Sequence, residues 1–139
     1  MPSYITTNFD KLAHHHYIIN PQTTTSWFNF AKGKLDKYVK KFGDDFCLVI
    51  NCSKKCDDAY ILPFKEFKDL FTKENLKEEK STKAKHRWSG HIDKHTQEIK
   101  LEPANQKHEK PAFEYHNKFH LLQNAPLPFP EEKKVEDWD

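Results

Sequence analysis

Apolar residues along this chain change their spacing several times, and each change marks an element. Two short apolar runs, FCLVI and AYILPF, flank the polar connector NCSKKCDD between Phe46 and Phe64. Val49, Ile50, Tyr60 and Ile61 favour extended backbone, because branched and aromatic side chains pack well on a pleated surface. The connector holds Asn51, Ser53, Asp57 and Asp58, which hydrogen-bond their own backbone in turns. An antiparallel hairpin is predicted here. Pro63 removes a ladder donor near its end, where a helix can begin.

On either side the spacing lengthens. Trp27, Phe28, Phe30, Ala31, Leu35, Tyr38, Val39 and Phe42 recur at three- and four-residue intervals, with lysines between them. Thr23 to Ser26 offer N-caps and Gly43 a C′ residue, so one amphipathic helix is predicted over the whole segment. Phe64, Phe67, Leu70 and Phe71 predict a shorter helix after the hairpin. Lys83 to Ile92 reads as extended, because Ser89-Gly90 disfavours a helix. Glu98 to Leu101 alternates like a half-buried strand, which makes a second hairpin. Pro111 stands at a favourable N1 position for a last helix carrying Phe113, Tyr115, Phe119, Leu121 and Leu122. Tyr17 to Ile19 reads as a short strand or docked arm, and His14-His15-His16 before it as a solvated turn. The order predicts an α+β fold: a small single domain with a mostly antiparallel sheet or pseudobarrel flanked by two to three helices. The globular part is expected over 1–123, with a Pro-rich, acidic tail over 124–139.

Composition sharpens this picture. The 139 residues suit one domain, and eleven Phe supply apolar area although 32% of the chain is charged. Three glycines leave no room for a Gly-rich phosphate loop. From Glu131 to Asp139 five acids face two lysines, so the rest of the chain carries +5 against +2 for the whole. A basic body fits a polyanionic partner. Cys47, Cys52 and Cys56 are odd in number and no secretory signal is visible, which places the protein in a reducing cytoplasm. Cys52 and Cys56 are spaced as zinc ligands can be, yet no second Cys/His pair matches, so they read as small residues in a strand and its turn. No apolar run reaches the ~20 residues of a membrane span.

Three constellations bear on chemistry. Lys80, Lys83, Lys85, Arg87 and Lys94 face only Asp93 across fifteen residues, with Trp88, His86 and His91 interleaved and His95 next in line. Clustered cations neutralise phosphates, and Arg or an aromatic can reach bases. The bland alternative is a solvated lysine loop beside a core tryptophan. Asp57 or Asp58 with Glu66-Phe67-Lys68 matches the acid…acid-x-Lys pattern of Mg²⁺-dependent nucleases, where two carboxylates hold the metal. Here EFK falls on a predicted helix, not a strand. His116 and His120, four apart on the predicted last helix, read as ordinary helix-face histidines before a metal pair.

The succession AYILPFKEFKDLF, RWSGHI and EYHNKFHLL resembles the DNA-recognition domains at one end of some bacterial restriction endonucleases and modification-dependent restriction proteins. In that family a tyrosine-rich strand runs into a proline turn and helix, a basic-Trp segment follows, and a Tyr-x-Asn-x-Phe-like helix closes the domain. The resemblance spans Phe46 to Leu122. It implies a cytoplasmic, non-catalytic domain that binds double-stranded DNA, with catalysis in a domain or subunit encoded nearby. The matching positions are Tyr60, Pro63, Arg87, Trp88, Asn117 and Phe119. Tyr60, Pro63, Trp88 and Phe119 would be structural, with Asn117 near the site. Lys83, Lys85, Arg87, His91 and Lys94 would contact DNA. No cofactor is implied, and Mg²⁺ enters only with the nuclease alternative on Asp58, Glu66 and Lys68. A third alternative is a protein-interaction module using Asn124 to Pro130 and the acidic tail.

Overall fold

β3 (Cys47–Asn51) and β4 (Ala59–Pro63) form the predicted central hairpin, in the register Leu48↔Leu62, Val49↔Ile61 and Ile50↔Tyr60. The computed structural model describes residues 3–20, 27–53, 57–76, 86–102 and 109–130. β1 (Tyr17–Ile19) joins β3 in parallel, giving a three-stranded sheet of order β1-β3-β4. A second, antiparallel sheet has the order β2-β5-β6-β7, from β2 (Trp27–Ala31), β5 (Arg87–Ile92), β6 (Glu98–Glu102) and β7 (Glu109–Pro111). The fold is α+β.

Alternation sorts the side chains of the central hairpin between two cores. Leu48, Ile50, Tyr60 and Leu62 face the second sheet and meet Phe28, Phe30, Trp88, Ile99 and Leu101. Val49, Cys47, Ala59 and Ile61 face the other way, under α1 (Tyr4–Thr7), α2 (Phe9–Ala13) and the C-terminal segment, with Ile5, Leu12, Phe119 and Leu122. Every residue of β3 is buried as a result.

The predicted helix from Trp27 is only partly right. α3 spans Lys32–Phe42 and ends at Gly43 with φ +67°, whereas Trp27–Ala31 is strand. WFNFA satisfies a period of two as well as a helical spacing. The pairing partner decides, because Phe28 lies across from Gly90, where a Cβ would run into the Lys100 carbonyl and the Phe28 ring. The expected caps at Thr23 to Ser26 lie outside the described residues. α4 (Phe64–Phe67) and a 3₁₀ turn over Lys68–Leu70 supply the short helix after the hairpin.

The last predicted helix does not form. Pro111 closes β7, and among the described residues only single 3₁₀ turns follow, at Phe113–Tyr115 and Phe119–Leu121. Between them Asn117 takes φ +54°, and His116 bridges to Tyr60 on the open edge of β4. The Asn117 N–H donates to Ala59 O and its Oδ1 accepts from Ala59 N–H, both at 2.7 Å. The segment thus shields an edge strand, which outweighs its helical spacing. Residues 124–130 run back over α1, where Tyr4 Oη donates to the Pro126 carbonyl and the Phe129 ring meets Tyr4 edge-on. No helix among the described residues is long and apolar enough to cross a membrane.

Candidate nucleic-acid interface

The sequence RWSGHI alternates strictly once it is extended. Trp88, Gly90 and Ile92 point into the core, leaving Arg87, Ser89 and His91 half-buried on the outer face of the second sheet. Register places Ala31 opposite Arg87 and Asn29 opposite Ser89, with Asn29 exposed. A hydrogen-bonded row crosses the two strands. Arg87 Nε donates to Ser89 Oγ at 3.3 Å, and the Ser89 hydroxyl donates to Asn29 Oδ1.

α3 starts at the Arg87 end of this row, where the Lys32 N–H donates to His86 O at 3.0 Å. Its first turn has no side-chain cap and no acid, but carries Lys32 and Lys34. Cations there oppose the helix's own field, which costs stability and concentrates positive potential. Lys34, Lys37, Lys40 and Lys41 are exposed along the helix; Lys32 is held by Asp36 at 2.6 Å.

Lys94 is exposed on the β5–β6 turn. Asp93 builds that turn by accepting from the His95 and Thr96 N–H groups at 2.8 and 3.0 Å. These bonds, with Lys100 at 3.5 Å, hold its carboxyl below the usual carboxylate range. Lys83 and Lys85 lie outside the described residues. Trp88 is buried and its Nε1 donates to Thr72 O at 2.8 Å. Tyr60 and Phe119 are core residues, Pro63 ends β4, and Asn117 is the edge clasp described above. The structure therefore brings Arg87 and His91 together on one face, with Lys94 at its rim.

The nuclease set does not converge. Asp58 and Glu66 lie at opposite ends of β4, whose five extended residues span roughly 16 Å. Glu66 is exposed on α4, and Lys68 pairs with Asp44 at 3.3 Å. Asp58 is engaged instead by His116 Nε2, at 2.5 Å, under the ring of Tyr60. His116 is buried and His120 exposed, so the two do not share a face for a metal. Among the described residues no group of three or more His, Cys, Asp or Glu side chains is placed to hold an ion.

Sequence reading missed three features. Asn29 was hidden inside the expected helix. The Asp58–His116 pair joins residues far apart in the chain, and nothing local announces it. His16 was expected in a solvated turn but is fully buried. The Cys47 N–H donates to its Nδ1 at 2.9 Å, and the Gln123 amide nitrogen lies 2.8 Å from its Nε2. Burial first, then the neighbouring His15, push its pKa down to about 4. Burial and Asp45 push the Cys47 thiol up to about 12, which makes it an inert core residue. Compared with family models, curated proteins and solved structures, the chain matches none.

Proposed function

We propose that this chain binds double-stranded DNA as the recognition domain of a restriction-type defence system, without catalysis of its own. The observation that carries the reading is the alternation of β5, which leaves Arg87, Ser89 and His91 half-buried on the outer face while Trp88 and Ile92 anchor the strand from behind. The uncapped, lysine-bearing start of α3 supports it, as does the run of Lys80, Lys83 and Lys85 leading into Arg87. Phosphates would be neutralised by lysines around a rigid sheet that sets the register on the duplex. The sequence resemblance points to DNA as the polymer and to a catalytic partner encoded nearby.

The test is fluorescence anisotropy with short duplexes at two salt concentrations. Micromolar or tighter binding that weakens steeply with salt is expected, and replacing Lys83, Lys85 and Arg87 together by Ala should abolish it. Absence of binding at low salt, or unchanged affinity in the triple variant, would refute the reading. One observation favours a second reading, a protein-docking strip: Leu127 is 76% exposed between the docked Pro126 and Phe129. Deleting residues 124–139 without loss of a partner would exclude that strip.

A further inference from the structure

Resting on the DNA-binding reading, we propose that β2 and β5 form a two-stranded ribbon that enters the major groove and reads guanine, with Asn29 and Arg87 determining specificity. β2 is the edge strand of its sheet and β5 its neighbour. Two strands about 4.8 Å apart fit a groove about 12 Å wide, whereas all four strands of the sheet do not. Charge divides the sheet along the same line. The outward positions of β5 carry Arg87 and His91, while Glu98 and Lys100 stand at alternate positions of β6. Lys100 is itself paired with Asp93. Phosphates would approach the cationic edge pair rather than β6, where that pairing already neutralises Lys100.

The hydrogen-bonded row sets which base edge is read. Arginine only donates, so Ser89 Oγ accepts from Arg87 Nε and directs its own proton to Asn29 Oδ1. This fixes the Asn29 amide with its carbonyl occupied and its NH₂ turned outward. An asparagine reads adenine by using both atoms, accepting from N6 and donating to N7. Here one of the two lone pairs of the carbonyl is engaged by Ser89, so adenine would have to share an acceptor already turned toward β5. The guanine edge offers N7 and O6, both acceptors, to a surface that presents donors from Asn29 and Arg87.

Selection from randomised duplexes, followed by anisotropy on single-base variants of the chosen site, tests this directly. Guanine should be enriched at one or more positions, and guanine-to-adenine changes there should weaken wild-type binding roughly 5- to 100-fold. Asn29→Ala should flatten that preference. Ser89→Ala, which frees the Asn29 carbonyl, should raise the relative affinity for adenine. Both positions face solvent, and urea titration of each variant checks that it folds. Equal binding of all sequences, or a Ser89→Ala variant with unaltered base preference, would overturn the groove-reading ribbon and leave DNA binding intact. No binding to any duplex at low salt would overturn both.

Discussion

The two sheets differ in how many of their faces are covered. The β1-β3-β4 sheet is packed on one side by the second sheet and on the other by α1, α2 and the C-terminal segment. Among the described residues, the β2-β5-β6-β7 sheet is packed on one side only. β3 therefore reads as a continuous apolar run, and β5 as an alternation of buried and half-buried residues. A doubly covered strand has no position to spare for recognition, because each side chain has apolar neighbours to satisfy. A singly covered strand keeps every second residue for another purpose. That division explains why candidate contacts collect on the second sheet and structural residues on the first.

The largest effects should come from the doubly covered sheet. Leu48 is fully buried at the centre of the hairpin, opposite Leu62. Leu48→Ala is expected to lower unfolding free energy by about 2–5 kcal/mol in urea titration. A cost below ~1 kcal/mol would mean that the hairpin is not the centre of the core. The inward face of the second sheet has its own test at Gly90, where a Cβ meets the Lys100 carbonyl and the Phe28 ring. Backbone cannot rotate away as a side chain tip can, so Gly90→Ala should cost about 3 kcal/mol or separate β5 from β6. Retention of wild-type stability would contradict the close approach of those strands.

How legible these sheets were depends on where their information lies. Both hairpins were visible, because β3–β4 and β5–β6 join neighbours in sequence with turn-forming residues between them. β2 was not, because WFNFA fits either period and its partner β5 starts more than fifty residues later. The final helix failed for a related reason. Asn117 serves the edge of β4, a demand made by a strand far away in the chain. Of the proposed interface, Arg87 and His91 were legible as candidates from charge and spacing. Asn29 and the direction of each side chain required the register.

His16 ties the N-terminal layer to the first sheet, and its chemistry makes that attachment pH-dependent. Two backbone amides approach the ring. The neutral ring can accept from one of them, and the doubly protonated ring from neither. Its pKa is lowered to about 4 from an ordinary 6.5. The neutral form thus stabilises the fold above pH 6.5, and that contribution is lost as pH falls from 6.5 through 4. The full loss is about 3 kcal/mol. Comparing wild type with His16→Gln across this window separates the histidine from the carboxylates, and identical pH profiles would remove His16 from the account.

Asn117 gives a smaller effect of the same origin. Asn117→Ala removes the acceptor for the Ala59 N–H and leaves a Cβ at φ +54° without the polar side chain that favours this conformation. Asn117→Gly removes the same acceptor but also the Cβ, which relieves the backbone. We expect losses of about 2 kcal/mol and about 1 kcal/mol in that order. Equal losses would assign the whole effect to the hydrogen bond.

The smallest stability effect belongs to the open face, and there the comparison between sheets is at its sharpest. Ser89 and His91 lie outward on β5, so Ser89→Ala and His91→Ala should each change unfolding free energy by no more than about 0.5 kcal/mol. The same changes should alter DNA binding, measured by anisotropy at low salt. A residue kept for packing would show the opposite pattern, with stability lost and binding changed only as far as the folded fraction falls. Stability losses of 2 kcal/mol or more at these positions would show that the outer face is covered by something that belongs to the fold. The contrast with Leu48→Ala would then disappear, and with it the argument that this sheet keeps one face for a partner.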